Sequence, residues 1–132
     1  MKAKTVSAWA MAALLGASTV NHVRKPEFYY PVVPPALCTD KDGKFGVMTR
    51  HQWVLASAVP EALAVVGLLL PQTRRVTATA TTLMFAGFTA GHVSALRRAF
   101  GPNGTAQSRK VHAIRLPLQL PLVLWAWSLR RR

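Results

Sequence analysis

QWVLASAVPEALAVVGLLL, residues 52–70, is a run of nineteen residues with one formal charge, Glu61. Its apolar residues do not alternate as they would in a half-buried strand, and they cover too much of the helical wheel for a surface helix with one polar face. At 1.5 Å per residue the run is about 28 Å long as a helix, close to the ~30 Å of a bilayer's hydrocarbon layer. A closed helix satisfies all its own backbone polar groups, which is what a lipid environment demands. Residues 52–70 therefore predict a membrane-spanning helix.

The neighbouring sequence extends the pattern in both directions. Pro71-Gln-Thr-Arg-Arg75 is a tight turn, so a helix over about 76–96, again uncharged, returns antiparallel to the first. Residues 5–23 form another uncharged run, and 111–129 a fourth, with Arg115 near its start and Pro117 and Pro121 inside it. The prolines make the last segment the least regular and predict a kink. Its end fits an interface, with Trp125 and Trp127 followed by Arg130, Arg131 and Arg132. The expected fold is all-α: one domain over residues 1–132, a four-transmembrane-helix antiparallel bundle whose long first loop, 24–51, caps one end. Residues 97–110 form a shorter loop around Gly101-Pro102-Asn103-Gly104.

Composition agrees. Of 132 residues 51% are hydrophobic and 16% charged, below the roughly 25% charged of soluble domains. The formal net charge is +13. The basic residues cluster at the edges of apolar runs rather than along one face, as in membrane flanks that meet anionic headgroups and unlike a nucleic-acid interface. No nucleic-acid partner is expected. Cys38 is the single cysteine, so no internal disulfide can form. The first residues resemble a signal peptide, with Lys2 and Lys4 before an Ala/Leu-rich stretch and Gly16-Ala17-Ser18 after it. The later segments need a membrane anyway, and an uncleaved first helix is expected. The density of Lys2, Lys4, Arg74, Arg75 and Arg130–Arg132 on short segments favours cytoplasmic termini, whereas the raw count of basic residues favours the reverse; cytoplasmic termini are the expectation. Ala8, Ala12 and Gly16, and likewise Gly87 and Gly91, recur every four residues, a spacing that lets helices pack closely.

Four antiparallel spans bring scattered polar residues to the end under the long loop. Asn21 and His22 end the first helix and His92 lies near the end of the third. Arg115 and Gln119 lie one turn apart in the fourth, and Glu61 lies about 13 Å along the second. An isolated carboxylate in a membrane must be protonated or paired inward. Arg115 is the expected counter-ion, with Gln119 or a histidine as donor. The cluster reads either as a staple between helices or as a pocket for a quinone ring or a polar lipid headgroup. Phe28, Tyr29 and Pro34, in the proline-rich first loop, would form its lid. No metal-binding spacing, nucleophile motif or phosphate loop is present. His51 and His112 read as interfacial.

Asn21-His22, Lys25-Pro26, Phe28, Val33-Pro34, Glu61, Gly67, Pro71-x-Thr73-Arg74 and Arg115-Leu-Pro-Leu-Gln119 with Trp125 together resemble the DoxX-like family of small four-helix bacterial membrane proteins. The resemblance spans nearly the whole chain. Where that family tends to carry Pro-Ala-Asn near the end of helix 3, this chain has Ala90-Gly91-His92, and Cys38–Phe45 looks like an insertion. Some DoxX-like proteins are named as subunits of a thiosulfate:quinone oxidoreductase, and others are associated with redox-stress complexes. The resemblance implies a bacterial cytoplasmic-membrane protein that contacts lipid or quinone and a protein partner, with a homo-oligomer as another arrangement. The expected function is a non-catalytic accessory subunit with quinone as its one candidate cofactor. A quinone-linked oxidoreductase subunit and a purely structural or transporter bundle are the alternatives.

Overall fold

The computed structural model describes residues 3–41 and 43–130. They form four long helices, α1 (Ala3–Arg24), α2 (Arg50–Leu69), α3 (Arg74–Ala99) and α4 (Ala106–Ser128). Two starts are fixed by reciprocal caps. Thr49 accepts from the Gln52 backbone while the Gln52 side chain returns to Thr49 N, and Thr105 and Ser108 do the same for α4. The second cap explains why α4 begins five residues before its expected start. Arg109, Lys110 and His112 are helical, because a polar first turn costs nothing once its amides are capped. α4 is unbroken across Pro117 and Pro121, and α2 across Pro60. The turn at 70–73 is held by Thr73 Oγ1, which donates to Gly67 O at 2.8 Å, and by Arg74 Nε, which donates to Leu68 O at 3.0 Å. Both bonds satisfy carbonyls that the end of α2 would otherwise leave unpaired.

α1 packs along α2 and α3 along α4, with a lighter contact between α2 and α3. The two pairs share a core of Ala8, Met11, Ala12, Leu15, Ala64, Leu68, Ala78, Phe85, Ala126 and Leu129. Most of these lie toward the termini and the 70–73 turn. Trp125 Nε1 donates to Ser7 Oγ at 2.8 Å and ties α4 to α1 at that end. Trp125→Phe keeps the ring and loses the bond, at a cost of about 1 kcal/mol. The expected fall of roughly 4 °C in Tm is readable by circular dichroism during heating.

Polar side chains lie inside the bundle beside the apolar core, and many apolar side chains face outward. His22, Glu61, Thr81, Thr82, His92, His112 and Gln119 are buried. Large apolar side chains on all four helices are exposed, among them Val6 and Val20 on α1, Val59 and Leu63 on α2, Val76 and Leu83 on α3, and Leu120 and Leu124 on α4. By length and composition one helix, Arg50–Leu69, is apolar enough to cross a membrane. The other three are diluted by the residues that fill the interior or flank the runs. These are serine, threonine and histidine in α1, threonine and terminal arginines in α3, and Arg109, Lys110, Arg115 and Gln119 in α4. The all-α four-helix fold thus stands as expected, while among the described residues one helix of the four is long and apolar enough to cross a membrane.

The first loop folds as four single 3₁₀ turns, Pro26–Phe28, Tyr30–Val32, Pro35–Leu37 and Thr39–Lys41. Three carry proline in the first turn, where a missing N–H is no loss and the ring presets φ. The stretch that reads as an insertion doubles back on itself. Thr39 N bonds Met48 O at 3.0 Å and Phe45 N bonds Ala36 O at 2.9 Å.

Candidate functional site

A cavity of about 1140 Å³ lies under the first loop, between the α1/α2 and α3/α4 pairs. Asn21, His22, Glu61, His92, Arg115 and Gln119 all line it, as do Phe28, Tyr29 and Pro34 of the loop. The walls are otherwise apolar, with Leu14, Phe85, Phe88, Leu118 and Leu122 among them. Every residue singled out from the sequence therefore borders the same space. This size and lining suit an amphipathic small molecule.

The polar groups pair differently from the expectation. Glu61 is 2% exposed and His22 is 4% exposed. His22 Nδ1 lies 3.1 Å from Glu61 Oε2 and 2.7 Å from Ser18 O. A backbone carbonyl can only accept, so Nδ1 carries the proton. Oε2 meets no donor at hydrogen-bonding geometry among the described residues, so the 3.1 Å contact is a close approach beside the shorter bond. Arg115, the expected counter-ion, instead donates from Nη1 to Phe28 O at 3.2 Å, its guanidinium 4.5 Å from the centre of the Phe28 ring. The reason is the order of packing. α2 lies along α1, which puts His22 across from Glu61, whereas α4 lies along α3. No ion pair forms at Arg115 among the described residues.

The loop is tied to each helix. Tyr29 stacks on His22 with ring centres 3.7 Å apart. Its hydroxyl accepts from Asn21 Nδ2 at 3.1 Å and lies 3.2 Å from Ser18 Oγ, all on α1. Trp53 Nε1 of α2 donates to Leu37 O at 2.5 Å, and Tyr30 Oη pairs with His51 Nδ1 at 2.8 Å. Arg98 of α3 donates to Pro31 O, and Arg115 of α4 holds Phe28 O. Burial first, then the neighbouring Arg50 guanidinium, hold Arg98 below the usual arginine range. Gly91 is where the loop sits closest on α3. A Cβ there would stand 2.3 Å from Val32 O.

Three contributors were not read from the sequence. Trp53 lines the cavity, and with Ser57 and Glu61 it forms a four-residue stripe along α2 that was legible as such. Ser18 lies one turn before His22 and supplies the carbonyl that fixes its tautomer. His112, read as interfacial, is buried because α4 starts early, and its Nδ1 lacks a partner. His51 bonds the loop instead of standing free. Among the described residues no group of three or more His, Cys, Asp or Glu is placed to hold a metal ion. Lys2, Asp42, Arg131 and Arg132, which enter the charge asymmetry, lie outside the described residues.

Three unpartnered buried polar atoms belong to residues that line this cavity. Glu61 Oε2, His92 Nδ1 and Gln119 Oε1 have no hydrogen-bond partner among the described residues. Each such group costs about 1–3 kcal/mol. A polar occupant of the cavity would offer such groups a partner. A family model described as Domain of unknown function (DUF8561) matches residues 11–130. No curated protein matches the chain, and no solved structure does.

Proposed function

We propose, for a chain that belongs to the family described as Domain of unknown function (DUF8561), a membrane-embedded four-helix protein that holds a tailed quinone-type ring under its first loop and serves a partner protein as an accessory subunit. The observation that carries this reading is the convergence of Asn21, His22, Glu61, His92, Arg115 and Gln119 on one otherwise apolar cavity. Apolar side chains facing outward on all four helices, with the ionisable groups turned inward, support the membrane setting. So does the DoxX-like motif set, whose most specific parts, Glu61 and Arg115–Gln119, are among the cavity residues. On this reading the protein lies in a bacterial cytoplasmic membrane with cytoplasmic termini.

A planar ring is favoured over a phosphate headgroup. Arg115 is the one arginine or lysine among the lining residues, whereas aromatic walls come from Phe28, Tyr29, Trp53, Phe85 and Phe88. Phosphate sites gather several cations or amides, and stacked rings favour flat ligands. The accessory role follows from what the cavity holds: groups that bind and orient, without a nucleophile–base pair.

The test uses Gly87, where an added Cβ would find nothing within 4 Å and which lines the cavity. Gly87→Phe directs a ring from that open position. Wild-type protein purified in mild detergent is expected to carry extractable quinone and to bind added decylubiquinone. The Gly87→Phe variant should keep its helicity and lose both. Phospholipid retained in place of quinone points to the headgroup reading. Quinone reduction by the isolated chain with a supplied reductant points to the oxidoreductase alternative.

A further inference from the structure

We infer that the cavity discriminates by hydrogen-bond polarity: its preferred occupant is an aromatic ring with a carbonyl at one end and a hydroxyl at the other, not one bearing carbonyls alone. This rests on the reading above that the cavity holds a flat, tailed ring, and it ranks a ring with one hydroxyl above the plain quinone.

The argument starts from the groups whose hydrogen-bond character cannot change. Arg115 can only donate. It has five N–H groups, and one is engaged, by Phe28 O. Its wall of the cavity therefore takes an acceptor such as a carbonyl oxygen. On the opposite wall the nearest donors to Glu61 are engaged, at least in part, within the protein. His22 Nδ1–H goes to Ser18 O at 2.7 Å, and Asn21 Nδ2 goes to the Tyr29 hydroxyl at 3.1 Å. The Tyr29 hydroxyl faces Ser18 Oγ at 3.2 Å and Ser18 O at 3.3 Å. What that wall has in surplus is an acceptor. Glu61 Oε2 is buried, stands 3.1 Å from a nitrogen that already carries a proton, and has no donor aimed at it. The N–H beside it favours Oε2 as a carboxylate oxygen, which can only accept. Gln119 and His92 do not alter the balance, because a flipped amide or a changed tautomer lets each present either character.

An occupant bearing only carbonyls meets Arg115 well and leaves Glu61 Oε2 facing a second acceptor. One with a hydroxyl at its far end satisfies both walls. A site built to accept from a hydroxyl discriminates strongly against an analogue without it, because the site's own polar group is then left unpaired.

Octyl 4-hydroxybenzoate and octyl 4-methoxybenzoate isolate the effect. They share ring, ester carbonyl and tail, and differ in one O–H. Each is titrated into the full chain in nanodiscs, with tryptophan fluorescence as the signal and Gly87→Phe as the background for partition into lipid. The hydroxy compound is expected to bind wild type about tenfold tighter, the equivalent of one well-made hydrogen bond. Glu61→Leu should narrow that gap to within twofold. Glu61→Gln, which keeps an acceptor oxygen and nearly the same volume, should retain most of it. Arg115→Met should weaken both compounds by a similar factor, since the carbonyl end is common to them. Equal affinity of the two compounds for wild type, or a gap that survives in Glu61→Leu, overturns the inference and leaves the ring-binding reading intact. Signals for both compounds that match the Gly87→Phe background overturn both.

Discussion

A leucine at position 91 is expected to make Cys38 react with a maleimide at least about tenfold faster and to empty the cavity, while the helices persist. The cause is one backbone contact. A Cβ on Gly91 would stand 2.3 Å from Val32 O and 3.2 Å from Val32 Cγ1. The nearer atom belongs to the main chain of the loop, so no side-chain rotation relieves the overlap. Even alanine requires the Tyr30–Val32 turn to move, and leucine drives it farther. Overpacking of this kind costs about 1–3 kcal/mol, comparable to a pair of the hydrogen bonds that tie the loop down. Cys38 is a built-in reporter. It is 0% exposed, donates to Pro34 O at 3.5 Å, and sits in the segment that must lift. Burial, and secondarily Asp40, push its thiol up from its ordinary range, so little thiolate is present while the loop is seated. Lifting the loop removes the steric block and the burial together. Labelling followed by intact mass, with circular dichroism as the fold control, checks this. Unchanged labelling in Gly91→Leu would mean that the loop does not rest on α3.

The second large effect belongs to Arg115. Arg115→Met retains the length and apolar packing of the side chain and removes the charge. Two contacts go with it: the donation to Phe28 O at 3.2 Å and the position over the Phe28 ring. A hydrogen bond to a charged group is worth about 1.5–3 kcal/mol, so decylubiquinone affinity should fall by roughly 10- to 150-fold. Arg115→Lys should recover only part, because an ammonium cannot hold the Phe28 carbonyl and a ligand oxygen from one planar fork. Titration of the three proteins under one set of conditions settles the order. Equal affinities would place the ligand away from α4.

Residues 5–23, 52–70, 76–96 and 111–129 were legible as helices because each is a long run with little or no charge. The start of α4 was not, because Arg109 and Lys110 look like the end of a loop until Thr105 and Ser108 are recognised as a reciprocal cap. Membership of the site was legible too. Antiparallel helices of similar length put residues near the end of one beside residues near the start of the next, so Asn21, His22, His92, Arg115 and Gln119 had to share one end. Which of them touch was not legible. Glu61 faces His22 and not Arg115 because α2 lies along α1, and that neighbour relation depends on how the pairs pack, which no residue pattern records. His112 was misplaced for the same reason as the start of α4. Trp53 needed only the four-residue count back from Glu61 through Ser57.

The pairing of α1 with α2 and of α3 with α4 also bears on how the protein is made. The acid of the second helix has its nearest partner, His22, on the first helix, which the ribosome delivers earlier. The acid of the first half thus meets its nearest partner within that half: His22 waits for Glu61. A nascent chain can complete its first pair before the third helix is translated. The two halves then have only to dock through the alanine-lined core and the Ser7–Trp125 bond, at the end away from the cavity. Assembly in that order leaves the cavity open while the far end closes. A chain divided in the 70–73 turn and produced as two pieces should therefore reunite into the same bundle.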